Sequence, residues 1–203
     1  MIDIKNIDVS DFGIAMFAMR NSYSNWGEKD SLSYEIGEND LKLLKSLVKA
    51  GDSHSKCLRM INVTMDITAP LYWWKQFDTY KVGTVCVSTS TMHTITKKPF
   101  TINDFSHDHL GEVVTPVFYD ALDNIIDILN EARQCYLDTK DKTWWWKIIQ
   151  LLPSSYNQMR TVQLNYQTIL NIIEQRKGHK LDEWHDFIEE MYNLPYIKEL
   201  SEV

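Results

Sequence analysis

The residues best suited to binding a polar ligand lie in two stretches of the sequence, one around Gln76 and one from Asn165 to Arg176. A glutamine amide offers both a donor and an acceptor, which matches the edge of a uracil-like base. An arginine guanidinium presents a planar fork of donors that suits a phosphate or a base edge. Gln76 and Arg176 are therefore candidate ligand contacts. A surface glutamine, and an arginine that stabilises the C-terminus of its helix, are the alternatives.

Hydroxyl groups and further cations add to these candidates. Thr89 lies in the run 88–91, whose small hydroxyl residues suit a phosphate or a pyrimidine, with a polar strand or turn as the alternative. His54 precedes a predicted strand, where it either contacts a cofactor or substrate or is an ordinary loop histidine. Four cations either surround phosphates together or are scattered surface charges: Lys56, Arg59, Lys75 and Lys81.

Other kinds of site have little support in the sequence. His107 and His109 have the spacing of two metal ligands, but no third ligand pattern follows them, which favours a solvated loop and no metal. Neither a Gly-x-Gly-x-x-Gly nor a P-loop motif is present. The aromatic residues 72–74 favour a core or interface over a stacking platform for a planar ring.

Composition indicates one folded domain over residues 1–203, since 44% of the residues are apolar and 24% charged. Lys and Arg number 21 and Asp and Glu 28, which gives a net charge of −7 and argues against nucleic acid or an anionic membrane as partner. The three cysteines form no Cys-x-x-Cys motif, which favours reduced, buried thiols. With no signal-peptide pattern and no apolar span, we expect a cytoplasmic protein.

Strand patterns lie early in the chain and helix patterns late, which predicts an α+β fold. Alternating β-branched residues predict a strand at 58–68, Pro70 can open a short helix, and 82–92 predict a strand or an ordered loop. Helices are predicted after Pro116 to 137 and at 143–152, 155–177 and 181–192. In a helix over 155–177, Gln158, Asn165 and Arg176 would share a polar face, with the last two about 16 Å apart.

Residues 53–92 resemble the first conserved region of the flavin-dependent thymidylate synthases. That family has a turn containing Gly-His, a strand, an Ala-Pro step into a helix, and then Arg-Gln. His54, Ala69-Pro70 and Lys75-Gln76 stand at the matching spacings without a gap. The order and spacing of these residues, more than any one of them, carry the resemblance.

Residues 152–176 resemble a second region of the same family. There the family has Leu-Pro, an Asn twelve residues after the Pro, another Asn six residues on, and an Arg five beyond that. Pro153, Asn165, Asn171 and Arg176 match this series. The two segments together cover about a third of the chain.

The family signature, Arg-His-Arg-x-x-Ser-x-Asn-x-x-Ser-x-Arg-Tyr, is changed at most of its positions. Thr79-Tyr80-Lys81 replaces Arg-His-Arg, Thr84-Val85-Cys86 replaces Ser-x-Asn, and residues 89–92 replace Ser-x-Arg-Tyr. Gln167 stands where the second region of the family has Arg. Only Lys81 keeps its charge, and a threonine cannot replace an arginine fork on a phosphate.

The resemblance implies an α+β fold with a small, mainly antiparallel sheet flanked by long helices, and a homotetramer with active sites shared between subunits. It implies an FAD cofactor, with NADPH as reductant and methylenetetrahydrofolate as the carbon donor, and a dUMP-like pyrimidine deoxynucleotide that is methylated at C5. The implied substrate-binding residues are Gln76, Thr89 and Arg176. The implied cofactor-binding residues are His54, Lys81, Asn165 and Asn171.

Two further hypotheses follow from the changed signature. The same pocket can bind a nucleotide without turnover, which the loss of most signature cations favours. A structural oligomer without any ligand is the third hypothesis, and the retained series of Asn165, Asn171 and Arg176 argues against it.

Overall fold

Strand β2 (Asn62–Pro70) shows how the sequence pattern builds the sheet. In the computed structural model, which describes residues 2–111 and 116–203, Val63, Met65 and Ile67 are fully buried and the residues between them are half-buried. Because side chains alternate along a strand, one face of β2 belongs to the core. With β1 (Asp3–Val9), β3 (Val85–Ser88) and β4 (Asn157–Asn165), it forms an antiparallel sheet in the order β1-β2-β4-β3.

The helices of the described residues differ widely in length. They are α1 (Gly13–Met19), α2 (Glu38–Lys49), α3 (Leu71–Phe77), α4 (Thr91–Thr94), α5 (Val117–Thr139), α6 (Lys142–Leu151), α7 (Tyr166–Arg176), α8 (Asp182–Tyr192) and α9 (Ile197–Ser201). Short 3₁₀ turns occur at Arg20–Tyr23, Trp26–Glu28, Lys56–Met60 and Ile102–Asp104. Within the described ranges, no helix combines the length and the apolar character needed to cross a membrane.

The predicted α+β fold is confirmed, and so are most of its elements. Pro70 precedes α3, and the helices predicted after Pro116 and at 143–152 and 181–192 correspond to α5, α6 and α8. The predicted strand at 58–68 begins later, at Asn62, because Lys56–Met60 forms a 3₁₀ turn. Residues 82–92 contain both β3 and the start of α4.

The helix predicted over 155–177 is wrong in its first half. Residues Asn157–Asn165 form strand β4, and only Tyr166–Arg176 form helix α7. Buried Val162 and Leu164 alternate with half-buried Thr161 and Gln163, which is the period of a strand. Gln158 therefore shares no helix face with Asn165 and Arg176.

The described residues form two compact units, each assembled from separate segments of the chain. Unit 2 contains Ile4–Ile67, Thr79–Val87 and Thr161–Val203. Unit 1 contains Thr68–Asp78, the described part of Ser88–Arg160, and the N-terminal residues up to Asp3. The single domain predicted for residues 1–203 stays a prediction.

A buried ion pair organises the N-terminal part of unit 2. Arg20 Nε lies 2.7 Å from Asp40 Oδ1, and both side chains are almost completely buried. Asp40 Oδ2 also accepts the backbone N–H of Ser31 at 3.0 Å. Asp30 accepts the N–H groups of Asn39 and Asp40, which satisfies the exposed donors at the start of α2. A buried charge needs this degree of pairing, so the network fixes the segment between α1 and α2.

Unit 1 has its own apolar core. Trp73 and Trp74 on α3 are fully buried, so of the predicted alternatives, core or interface, these two belong to the core, and neither can stack an exposed ring. Trp74 Nε1 donates to the Gln158 carbonyl at 2.9 Å. A further cluster joins residues before α5 to α5 and α6: Ile95, Phe100, Phe105, Leu122, Ile126, Leu129, Ala132 and Ile148.

The three cysteines differ in environment. Cys57 is buried, and burial raises the pKa of its thiol to about 11. Cys135 is half-buried and Cys86 on β3 is exposed, so the prediction of three buried thiols is wrong for Cys86. Cys86 is exposed because β3 is an edge strand of the sheet and all of its residues are exposed.

We expect Met65→Ala to destabilise the protein by about 2–5 kcal/mol, because it removes a fully buried side chain from β2 and leaves a cavity. Thr64→Ala, the neighbouring half-buried position, is the control and should stay within about 1 kcal/mol. Urea unfolding of both variants measures the difference. Equal destabilisation by the two would contradict the assigned faces of β2.

Candidate functional site

A cavity of about 620 Å³ lies in unit 2 between the loop 79–83 and helix α7. We call it the α7 cavity. Its volume is within the range of small-molecule sites. Three of the predicted cofactor-binding residues line it: Lys81, Asn165 and Asn171. The other residues that line it are Arg59, Thr79, Tyr80, Val82, Gly83, Gln167, Thr168 and Gln175.

Asn165 positions the wall of the α7 cavity. It is the N-cap of α7, and its Oδ1 accepts the Thr168 backbone N–H at 2.9 Å. The Thr168 hydroxyl lies 3.1 Å from the same Oδ1 and 3.3 Å from the Val82 carbonyl oxygen. Asn is among the residues preferred at a helix N-cap, so the sequence is consistent with a helix that starts after Asn165.

Gly83 allows the loop to approach this cap. Its φ is +73°, a backbone conformation that residues other than glycine rarely adopt. A Cβ there would overlap Asn165 Nδ2 and lie 3.0 Å from Thr168 Oγ1. Asn165 is 7% exposed and caps the N-terminus of α7, so its side chain cannot easily move away. The loop therefore reaches the cavity only with glycine at this position.

A buried amide network forms the inner side of the cavity. Gln167 Oε1 accepts the Ser55 hydroxyl at 2.9 Å, and its Nε2 lies 3.2 Å from both Asp52 Oδ1 and Asn171 Oδ1. Because Asn171 Oδ1 accepts this bond, Asn171 can offer its amide N–H groups to a ligand. Gln167 itself is 7% exposed, so its main effect is to orient Asn171.

Arg59 and Lys81 give the α7 cavity a positive charge. They are the two formally charged residues among the described residues that line it, and both are exposed. The chain as a whole carries a net charge of −7, so the positive charge at this cavity is opposite in sign to the net charge of the protein. An anionic ligand fits such a lining.

Arg176 lies beside this cavity but does not line it. Its Nε donates to the Tyr80 hydroxyl at 2.8 Å, and its guanidinium carbon lies 4.8 Å from the centre of the Trp184 ring. Tyr80 in turn donates to Gln175 Oε1 at 3.2 Å. Arg176 therefore fixes Tyr80. The two residues are 96 positions apart in the chain, so no local sequence pattern could indicate this contact.

The same cluster keeps His179 neutral. Burial and the nearby charge of Arg176 lower the pKa of His179, and its Nδ1 accepts the Leu181 N–H at 3.1 Å. The ring also contacts Trp184 edge-on, with centroids 6.2 Å apart. His179 and Arg176 thus both pack against the Trp184 ring.

The remaining predicted site residues lie elsewhere. His54 is exposed and lines another cavity of unit 2, of about 390 Å³, together with Lys56. Gln76 is a half-buried residue of α3 in unit 1. Thr89 lines two adjoining cavities of unit 1, and its backbone N–H donates to the Met159 carbonyl at 3.0 Å.

The fold is that of a known class of enzymes. Two solved structures of the flavin-dependent thymidylate synthase ThyX from Helicobacter pylori, each with FAD and dUMP, match with TM-scores of 0.69 and 0.68. Each match covers 98% of this chain and 95% of that chain at 16% sequence identity. The sequence matches no family model and no curated protein. The chain therefore has a ThyX-like fold.

We expect Gly83→Ala to destabilise the protein more than Gly51→Ala. Both glycines have a positive φ, which costs an alanine about 1–2 kcal/mol. A Cβ at Gly51 meets no atom within 4 Å, whereas one at Gly83 overlaps the α7 cap and costs about 1–3 kcal/mol more. Thermal unfolding of the two variants tests this, and equal loss would show that the loop does not pack on Asn165.

Proposed function

We propose that this protein is a divergent counterpart of the flavin-dependent thymidylate synthases in function as well as in fold. It binds a dUMP-like pyrimidine deoxynucleotide and transfers a folate-derived one-carbon unit to C5 of the base. The observation that supports this most directly is the α7 cavity, which combines two cations with several amide groups. The proposal also includes a homotetramer, as the resemblance implies.

The lining of the α7 cavity suits the phosphate groups of a nucleotide cofactor. Arg59 and Lys81 supply charge, while Asn171 and Gln175 supply amide donors. No carboxylate is among the described residues that line it, and the nearby carboxylate of Asp52 accepts a hydrogen bond from Gln167. These residues fit the diphosphate of FAD. When bound, the flavin of FAD would supply hydride transfer.

Each side chain has a distinct part in this proposal. Lys81 and Arg59 bind the phosphates, and Asn171, oriented by Gln167, donates to a phosphate or carbonyl oxygen. Asn165 keeps the loop 79–83 at the cavity through the α7 cap. Among the predicted substrate residues, Gln76 reads the base edge and Thr89 donates or accepts a hydrogen bond. Arg176 then acts through Tyr80, and His54 contacts the cofactor from its own loop.

The alternative is a nucleotide-binding protein without turnover. The state of Arg176 favours it, because its Nε and the face of its guanidinium are engaged by Tyr80 and Trp184. Gln167 likewise provides an uncharged amide where the family has an arginine. With these groups committed to the protein, ligand binding rests on two exposed cations.

The absorbance spectrum of the purified protein, before and after adding FAD and desalting, tests the proposal. We expect a flavin spectrum at close to one FAD per chain, and stabilisation against heat by dUMP. Stabilisation by dUMP without retained flavin would support the non-catalytic alternative. Absence of both effects would contradict nucleotide binding altogether.

We expect Lys81→Ala to weaken FAD binding by about tenfold or more, because it removes a charge-assisted contact. Lys180→Ala is the matched control, since Lys180 is exposed and does not line the α7 cavity. Fluorescence titration of FAD measures both affinities. Equal affinities in the two variants would show that FAD does not bind at the α7 cavity.

A further inference from the structure

Two adjoining cavities of unit 1, of about 210 and 250 Å³, differ in chemistry from the α7 cavity. We call them together the hydroxyl cavity. They share Thr89, Thr94, Lys98, Asp104 and Tyr156. Thr68, Thr91 and the amides of Asn103, Asn157 and Gln158 also line the smaller one. Hydroxyl and amide groups therefore dominate the lining of the smaller cavity, whereas Ile95, Pro99 and Phe100 add apolar groups to the larger one.

The hydroxyl cavity offers uncharged donors and acceptors. Burial and the carboxylate of Asp104 raise the pKa of Tyr156, so its phenol keeps its proton and can donate. Gln158 Nε2 donates to the Thr89 carbonyl at 2.7 Å and lies 3.3 Å from Thr91 Oγ1. These bonds fix the backbone carbonyl of Thr89, a residue that lines both cavities.

Two charged groups at the hydroxyl cavity, Lys98 and Asp104, are paired with each other. Lys98 Nζ lies 2.5 Å from Asp104 Oδ1, while Asp104 Oδ2 accepts the Thr101 N–H at 2.9 Å. The nearby Arg160 pairs with Asp78 at 2.8 Å and stacks over Trp74. Lys97, an exposed residue, lines only the larger of the two cavities.

This pairing determines which ligand the cavity favours. A phosphate would have to compete with Asp104 for Lys98 and would lie beside that carboxylate, which repels it. An uncharged ring or sugar with alternating donors and acceptors meets no such cost. It can form several hydrogen bonds with hydroxyls and amides at once.

We infer that the hydroxyl cavity binds the uncharged nucleoside part of a pyrimidine ligand and does not hold its phosphate. The inference rests on the proposed function, because it names the part of the pyrimidine nucleotide that unit 1 recognises. It predicts that a deoxynucleoside without phosphate is a ligand in its own right. Thr89 becomes a contact to base or sugar, and Lys98 contributes no phosphate contact.

Calorimetric titration of deoxyuridine and dUMP tests this inference. Both ligands are measured in a Lys81→Ala background, which weakens anion binding at the α7 cavity. We expect the two affinities to agree within about threefold, and Thr89→Val to weaken both by about five- to tenfold through loss of one hydroxyl. Thr96→Val, at a half-buried residue of unit 1 outside the cavity, is the control and should change neither affinity.

The Lys98→Gln variant gives an independent test. Because Lys98 is exposed, we expect this variant to fold normally. We expect it to leave the ratio of the dUMP and deoxyuridine affinities unchanged. A selective loss of dUMP affinity would overturn the inference, because Lys98 would then hold the phosphate. Binding of dUMP without deoxyuridine would overturn the inference alone, whereas no binding of either pyrimidine would also overturn the proposed function.

Discussion

The side chain of Asn165 is the constraint on which the α7 cavity depends. One carboxamide ends strand β4, caps helix α7 through the Thr168 N–H, and packs against Gly83. A strand, a helix and a loop thus meet at a single buried polar group. Because a buried amide must be satisfied, its geometry leaves little freedom to the loop that carries Lys81. The position of a cavity cation therefore follows from a helix cap.

Gln167 shows how a polar wall can be built without buried charge. An arginine at this buried position would need a counter-charge and complete hydrogen bonding to offset its desolvation. Glutamine instead forms bonds with Ser55, Asp52 and Asn171 that satisfy it as a neutral group. The positive charge of the cavity then lies only on exposed Arg59 and Lys81, where salt screens it more strongly.

The sequence predicted the elements whose signals are local and periodic. β2 and α3 follow from alternation and from Pro70, and the long helices follow from their apolar spacing. The helix predicted over 155–177 is wrong in its first half because the apolar residues of α7 directly follow those of β4, with no Gly or Pro between the two patterns. The pairings of Arg20 with Asp40 and of Arg176 with Tyr80 join distant residues, so periodicity could not reveal them. The spacing of the family motifs predicts Lys81, Asn165 and Asn171 as cofactor residues. They line one cavity, their role stays a prediction, and the spacing gives no indication of Gly83 or Thr168.

A shared fold at 16% identity leaves the chemistry of each cavity to be argued from its own lining. In unit 2, two cations face a cavity lined by no described carboxylate, and an anion is the natural ligand. In unit 1, Lys98 and Arg160 are each paired with an aspartate, and hydroxyl and amide side chains line the smaller cavity. At two positions where the family signature has arginine, this chain has Thr79 and Thr91, which offer hydroxyl groups and no charge. A chain can lose phosphate-binding residues at one cavity and keep a ligand there, provided that the ligand is held through its uncharged part.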